Sequence, residues 1–373
     1  MERYRDMAIK KQASLKLLRN IIIFLLLIVF TFWFIFKDQD LGELIRTIKS
    51  VDIKYFIIAI VLMFVVYLCE AINVRAGLIA LGEKKFGIIR ALKYTAIGNF
   101  FSAITPAATG GQPVEIYYMT KDGIKGANGT MTMLLQLIGF QVATLTYSVI
   151  FAVLNTDLLK DGIIWFYLLG LLINGVALIV MLFGTFSNKT AKKLLGLLIK
   201  ILKRIKVKNL EGKQKKFEEG LKQYSKSADF IKNNKMVFIK SILRVFVQIF
   251  LFHSIPYFIY RAFGLNELSF IRLFAMQAVL YTTVSGIPLP GSIGVSETLF
   301  LKIFGLAFGS ALLNSAMLLY RFASFYLYVI IFAVISFIVA TKTKDVVGEV
   351  DQDIIDVEKD LFKENKKRAH KKR

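Results

Sequence analysis

Two short stretches place glycine, proline and glutamate inside apolar surroundings, in an order that could hold a phosphate. The first reads TPAATGGQPVEIYYM, from Thr105 to Met119, and the second IPLPGSIGVSETLFL, from Ile287 to Leu301. They align without a gap at an offset of 182 residues, which puts Pro106 on Pro288 and Glu115 on Glu297. Four of the chain's five prolines (Pro106, Pro113, Pro288 and Pro290) lie in them. Thr109-Gly110-Gly111-Gln112 predicts a turn that feeds a helix, with Pro113 at the first helical position, where its missing N–H costs nothing. Glu115 then falls at about the third position. Gly291-Ser292-Ile293-Gly294 precedes the second helix, with Glu297 at the matching place. A helix N-terminus offers free N–H groups and a partial positive charge, and it binds anions, phosphates included. Glycine lets a headgroup approach the backbone. The plainer alternative is a pair of kinked helices in which each Glu caps its own first turn.

What must position these stretches is a set of membrane helices. The chain of 373 residues is 56% hydrophobic, and spanning a bilayer takes about 20 mostly apolar residues. Runs of that kind lie at 19–36, about 55–81, 130–154, 163–186, 236–260 and 311–340. The first follows a basic leader, but Thr31-Phe32-Trp33-Phe34 is bulky where a cleavage site needs small residues, so we expect an uncleaved helix. Net charge is +23 and is concentrated: +4 in residues 1–19, +11 in 187–235 and +2 in 341–373. Basic short loops stay cytoplasmic, which places both termini and the 187–235 loop inside.

With that orientation the two Pro/Gly stretches become re-entrant hairpins, about 91–119 from the cytoplasmic side and 270–305 from the outside. Broken helices at matching places in two halves are the sequence sign of a transporter site at the midplane. The same offset carries helix 55–82 onto 237–264 with seven identities, among them Phe56 on Phe238 and Gly82 on Gly264, and it carries Arg90 onto Arg272. The expected fold is therefore an all-α polytopic integral membrane protein. It has about six full transmembrane helices, two opposed re-entrant broken-helix hairpins and an inverted repeat, with halves at about 54–154 and 236–340. A membrane domain at 1–340 would be followed by a charged cytoplasmic tail at 341–373.

A charge within a span costs about 2.5–3.5 kcal/mol on insertion scales and so faces the protein interior. Glu70 and Asn73 share one helix face, as do Arg244 and Gln248. These polar groups, with Arg75, Arg321, Glu115 and Glu297, form either a cavity in which Arg244 or Arg321 meets a phosphate, or structural pairs between helices. Arg75 and Arg321 could also snorkel to the interface. His253 reads as a satisfied buried polar group. The basic 187–235 loop, with Leu194, Leu195, Leu198, Ile199, Leu202 and Ile205 at helical spacing, fits a helix on anionic inner-leaflet lipid. It lacks the accompaniments of nucleic-acid recognition. Cys69 is the one cysteine, and His253 and His370 are the two histidines. That is too few for a histidine metal cluster, and no P-loop, GxSxG, CxxC or HExxH motif is present. No cofactor is expected.

TPAATGGQP at 105–113 and PLPGSIGVSE at 288–297 resemble the paired signatures of the flippase-like membrane domain of lysylphosphatidylglycerol synthases, the multiple peptide resistance factor family. The resemblance covers most of residues 15–340. It implies a bacterial plasma-membrane protein that moves lysyl-phosphatidylglycerol to the outer leaflet, which lowers attraction for cationic antimicrobial peptides. Family members carry a cytosolic domain that transfers lysine from lysyl-tRNA to phosphatidylglycerol. This chain stops after the membrane domain and a short tail, so a separate synthase partner is one expectation, and phosphatidylglycerol lysyltransferase activity in this chain is the alternative function. The expected substrate-binding set is Thr105, Pro106, Thr109, Gly110, Gly111, Gln112, Glu115, Arg244, Pro288, Pro290, Gly291, Ser292, Gly294, Glu297 and Arg321. Phosphate would sit at the half-helix N-termini, and Glu115 and Glu297 would face a cationic headgroup.

Overall fold

The computed structural model describes residues 41–105, 108–160, 162–187, 196, 210–285 and 294–342. Residues 39–332 form one compact unit. The other unit comprises 1–38 and 333–373, and its described part is the end of the last helix, up to Lys342. The expected first span at 19–36, the apolar residues named between Leu194 and Ile205 and the tail beyond Lys342 lie outside the described residues.

The described secondary structure is all helical. In chain order the helices are α1 Leu41–Ser50, α2 Ile53–Ala80, α3 Ile88–Ile104, α4 Gly111–Lys121, α5 Gly126–Leu154 and α6 Ile163–Phe186. Then come α7 Leu210–Asn233, α8 Lys235–Ala262, α9 Phe270–Ser285, α10 Val295–Arg321 and α11 Leu327–Lys342. Among the described residues, five stretches are long and apolar enough to cross a membrane: α2, α5, α6, α8 and Val295–Thr341. Their bounds match the expected spans to within a few residues, except that the last begins in the second hairpin. Trp165, Phe166, Leu172 and Phe183 on α6 stand exposed, the apolar face that a helix presents to hydrocarbon.

α2 and α8 are each 28 residues long, and they stand at the offset read from the sequence. They pack antiparallel. Asp52, which caps α2 by accepting from Lys54 N at 2.9 Å, donates its own N–H to Ala262 O at 2.8 Å, so the start of α2 abuts the end of α8. Further along, Gln248 donates to Glu70, and Arg244 donates to Asn73. Pro256 within α8 removes one helical hydrogen bond. α3 and α9 begin at equivalent places after α2 and α8. Because α2 and α8 run in opposite directions, the two hairpins enter from opposite ends of the bundle.

The first hairpin is α3, a break at 105–110, and α4. Its base is closed by Asp122, just after α4, which accepts from Tyr94 Oη at 2.6 Å and from Arg90 Nε at 3.3 Å on α3. Lys93 forms an ion pair with the same carboxylate. Burial alone would raise this carboxyl, but hydrogen bonds from Lys93 and Tyr94 and the charges of Lys93 and Arg90 hold it below the ordinary value of 3.8. A depressed folded value stabilises the native state above the unfolded value, and that contribution is lost as pH falls through the folded one. Asp122→Asn is therefore expected to lower the melting temperature at neutral pH and to flatten acid destabilisation below about pH 4. The pair is partly exposed, so the cost is about 1 kcal/mol or less. Thermal denaturation of both proteins across an acid pH series checks this.

The second hairpin is α9, a break whose residues 286–293 lie outside the described set, and the first part of α10. Gly309 interrupts α10 with φ 64° and ψ 168°, a backbone that glycine adopts readily. At the repeat offset it falls on Ala127 in the first turn of α5, just past the break between α4 and α5. The re-entrant arm is thus 295–308, and the last span begins beyond it. Arg272, the counterpart of Arg90, ion-pairs with Asp157 in the loop after α5.

The described part of the basic loop packs on protein. Ala228 and Ile231 of α7 are buried against Met131 and Leu135 of α5. Ser227 donates to Asn128 Oδ1 at 2.8 Å, and Tyr224 donates to Gly184 O at 3.0 Å.

Candidate functional site

The first hairpin tip and the described residues that flank the break of the second line one cavity of about 340 Å³. Ser102, Ala103 and Ala108 line it from the first tip, and Val284, Ser285 and Ser296 from the second. Asn99 and Gln277 add amides, Tyr67, Tyr281 and Tyr320 add rings with hydroxyls, and Arg321 adds a guanidinium. The wall is otherwise apolar, with Met63, Phe252, Leu280, Phe300 and Phe325 among it. Concave, mostly apolar pockets with a few convergent polar groups are how small ligands are held.

The first tip is shaped by close packing. Thr105 Oγ1 donates to Phe101 O at 2.7 Å and accepts from Gly110 N at 2.9 Å, which closes the break. Ala108 holds φ 53°, rare for a residue with a side chain. A Cβ on Gly111 would meet Gly98 O at 2.6 Å as well as the Ser102 hydroxyl. Only glycine lets α4 approach α3 this closely.

α4 begins at Gly111, not at Pro113. Glu115 is therefore at the fifth helical position rather than the third. Its side chain turns sideways onto α3, where a Cβ on Gly98 would meet Oε2 at 2.5 Å. It is 3% exposed, and Oε1 has no hydrogen-bond partner among the described residues. Glu297 is at the expected third position. Its Oε2 accepts from Gly294 N at 2.5 Å and from Ser296 Oγ at 3.0 Å, so it does cap its own helix.

Glu297 also forms a buried ion pair, with Oε1 2.9 Å from Arg321 Nε. Arg321 is 8% exposed and lies over the Phe325 ring at 4.4 Å, so it does not snorkel to an interface. It ends α10 and precedes a π-helical turn, Phe322–Tyr326, a local widening that often marks functional positions.

Arg244 lies elsewhere. It donates to Asn73 Oδ1 at 3.4 Å, and Asn73 donates to Gln136 Oε1 at 2.5 Å. Gln136 donates to Gln248 at 2.9 Å, Gln248 to Glu70 at 3.4 Å, and Asn99 to Glu70 at 3.1 Å. The two polar faces read from α2 and α8 thus meet each other, and their chain of amides ends at Asn99 on the cavity wall. Arg75 donates to Phe86 O at 2.6 Å and fixes the turn after α2.

Of the expected site residues, the structure gathers Thr105, Gly110, Gly111 and Thr109 at the first tip, and Gly294, Glu297 and Arg321 around the second. Gln112 is half-buried at the start of α4. Pro106, Pro288, Pro290, Gly291 and Ser292 lie outside the described residues. His253 corrects its expectation: it is fully buried, yet neither ring nitrogen has a hydrogen-bond partner among the described residues. It sits instead among the rings of Tyr147, Phe274 and Tyr281, where an N–H can point at a ring face. The cavity residues missed in the sequence, Asn99 with Ser102 and Gln277 with Tyr281, sit three and four apart. They are the polar positions of otherwise apolar helices, and that spacing was the available signal.

Comparison with known proteins agrees with this architecture. The family described as "Lysylphosphatidylglycerol synthase TM region" matches residues 21–331. A "UPF0104 membrane protein" of Methanothermobacter thermautotrophicus is 23% identical over 277 residues, covering 71% of this chain and 79% of the relative.

Proposed function

The chain belongs to the lysylphosphatidylglycerol synthase TM region family, and from that premise we propose that it is a lipid translocase whose headgroup site is the cavity between the hairpin tips. The observation that carries the proposal is the buried Arg321–Glu297 pair at the edge of that cavity. A buried pair of opposite charges is costly to keep and easily opened by a ligand that brings both charges. A headgroup phosphate takes the guanidinium, in the planar two-pronged geometry arginine offers. An ammonium on the same headgroup takes the carboxylate that Arg321 releases. Lysyl-phosphatidylglycerol has both groups and is the substrate class we assign. The acyl chains stay in the bilayer while the headgroup crosses.

Opposed hairpins suit this task, because each gates one end of a shared site. Movement of either tip opens the cavity to its own side. Outward display of a cationic lipid would then lower the attraction of cationic antimicrobial peptides.

The proposal is tested in a bacterial host lacking its own aminoacyl lipid. The chain is expressed alone and with a separate lysyl-lipid synthase, and outer-leaflet and total lysyl-phosphatidylglycerol are measured. The expected result is a raised outer-leaflet fraction only with the synthase present. An unchanged outer fraction contradicts it, and a raised total from this chain alone assigns it the synthase reaction instead.

A further inference from the structure

Two carboxyl groups of the first half sit on α3 at and beside Asn99 of the cavity wall, with no ion-pair partner among the described residues. Glu115 is buried with Oε1 unpartnered, and Gly98 leaves the space it fills. Glu70, half-buried on α2, accepts from Asn99 and Gln248, two neutral amides. The two carboxyls are seated on neighbouring residues of α3, Glu115 against Gly98 and Glu70 on the Asn99 amide. Among the described residues neither has an ion-pair partner.

Among the described residues the surroundings supply no compensating charge. α2 adds Tyr67 and also Arg75, which is spent on Phe86 O. The charges of α3 are Arg90 and Lys93, both held by Asp122 at the hairpin base. α4 adds Lys121 in its last turn. α5 has no charged side chain. From α8, Arg244 donates to Asn73 rather than to either carboxyl, and His253 sits in its aromatic surround.

Two uncompensated carboxylates at membrane depth repel each other and lose most of their hydration. One proton held between them removes a charge and gives an unpartnered oxygen something to donate. Asn99, bonded to Glu70, is on the cavity wall, so water entering the cavity reaches the pair's edge.

We propose that Glu115 and Glu70 form a proton-carrying pair, and that the translocation cycle moves one proton with each lipid. The proton leaves the pair for water when the cavity opens to one side and is replaced from water on the other. This rests on the translocase reading of the cavity, and the test separates the two.

The purified full chain is reconstituted in vesicles with tail-labelled fluorescent lysyl-phosphatidylglycerol as probe, with and without a one-unit pH gradient. The wild-type protein is expected to shift the steady-state leaflet ratio of the probe by up to about tenfold, the ratio of proton activities. Glu115→Gln is expected to lose that response whatever its rate. Lipid movement with a leaflet ratio indifferent to the gradient overturns the proton proposal and leaves the translocase standing. No lipid movement counts against the translocase instead. The proton pair is then decided by infrared spectroscopy of the wild-type protein at neutral pH. A protonated-carboxyl stretch that disappears in Glu115→Gln or Glu70→Gln supports the pair, and the absence of that stretch from the wild-type protein overturns it.

Discussion

Replacing Arg321 by Gln is expected to slow lipid movement by about tenfold to a hundredfold while leaving the variant difficult to keep folded, and the two effects can be separated. Arg321 and Glu297 are each 8% exposed. Removing one partner of a buried pair leaves the other charge stranded, at a cost of about 3–5 kcal/mol. Among the described residues Glu297 then keeps the Gly294 N–H, the Ser296 hydroxyl and the Tyr326 hydroxyl, all neutral donors that cannot replace the guanidinium charge. The double variant Arg321→Gln with Glu297→Gln removes both charges and should recover most of that stability. It should not recover transport. A charged hydrogen bond to phosphate contributes about 1.5–3 kcal/mol, or roughly tenfold to a hundredfold in rate. Thermal stability in detergent beside translocation in vesicles measures both. A double variant that is stable and moves lipid at the wild-type rate would remove Arg321 from the site.

Gly111→Ala is the second large effect. A Cβ there would stand 2.6 Å from the Gly98 carbonyl oxygen, which is backbone and cannot swing aside, and would also strike the Ser102 hydroxyl. Forcing a methyl into such a contact costs about 1–3 kcal/mol. α4 must then move away from α3, carrying Glu115 off its seat at Gly98 and deforming the wall at Ser102. We expect loss of translocation together with a lower melting temperature. Gly82→Ala is the comparison. A Cβ there meets no atom within 4 Å, though its φ of 89° still disfavours a side chain. It should lower stability with far less effect on transport, because Gly82 lies in the turn after α2. Equal transport losses in the two variants would mean that the tip geometry is not what matters.

The helices and their repeat were legible because hydrophobic length and the matched Pro/Gly stretches are one-dimensional signals. The seat of α2 on α8 follows from the same pattern, since both helices show their polar residues at three- and four-residue spacing. Glu297 was legible as a helix cap. Glu115 was not, because the sequence does not show that α4 starts at Gly111 and absorbs Pro113 within its first turn. Two residues of register turn a cap into an interhelical carboxyl. The choice between Arg244 and Arg321 was equally closed to sequence reasoning. Both are single arginines in apolar runs, and only the packing shows one bound to Asn73 and the other on the cavity wall. The fate of His253 depended on neighbours from α5 and α9 that no local pattern announces.

The central claim is that the cavity between the hairpin tips carries a lipid headgroup across the membrane. The most direct measurement is accessibility of a tail-labelled fluorescent phospholipid to an impermeant quencher, in vesicles holding the purified chain. The account predicts that probe in the inner leaflet becomes accessible in protein-containing vesicles. It also predicts that the Arg321→Gln, Glu297→Gln double variant, folded by the same thermal criterion, exposes the probe at least about tenfold more slowly than the wild type. Wild-type vesicles that protect the probe as well as empty ones, with lysyl-phosphatidylglycerol supplied in the same assay, would contradict the account.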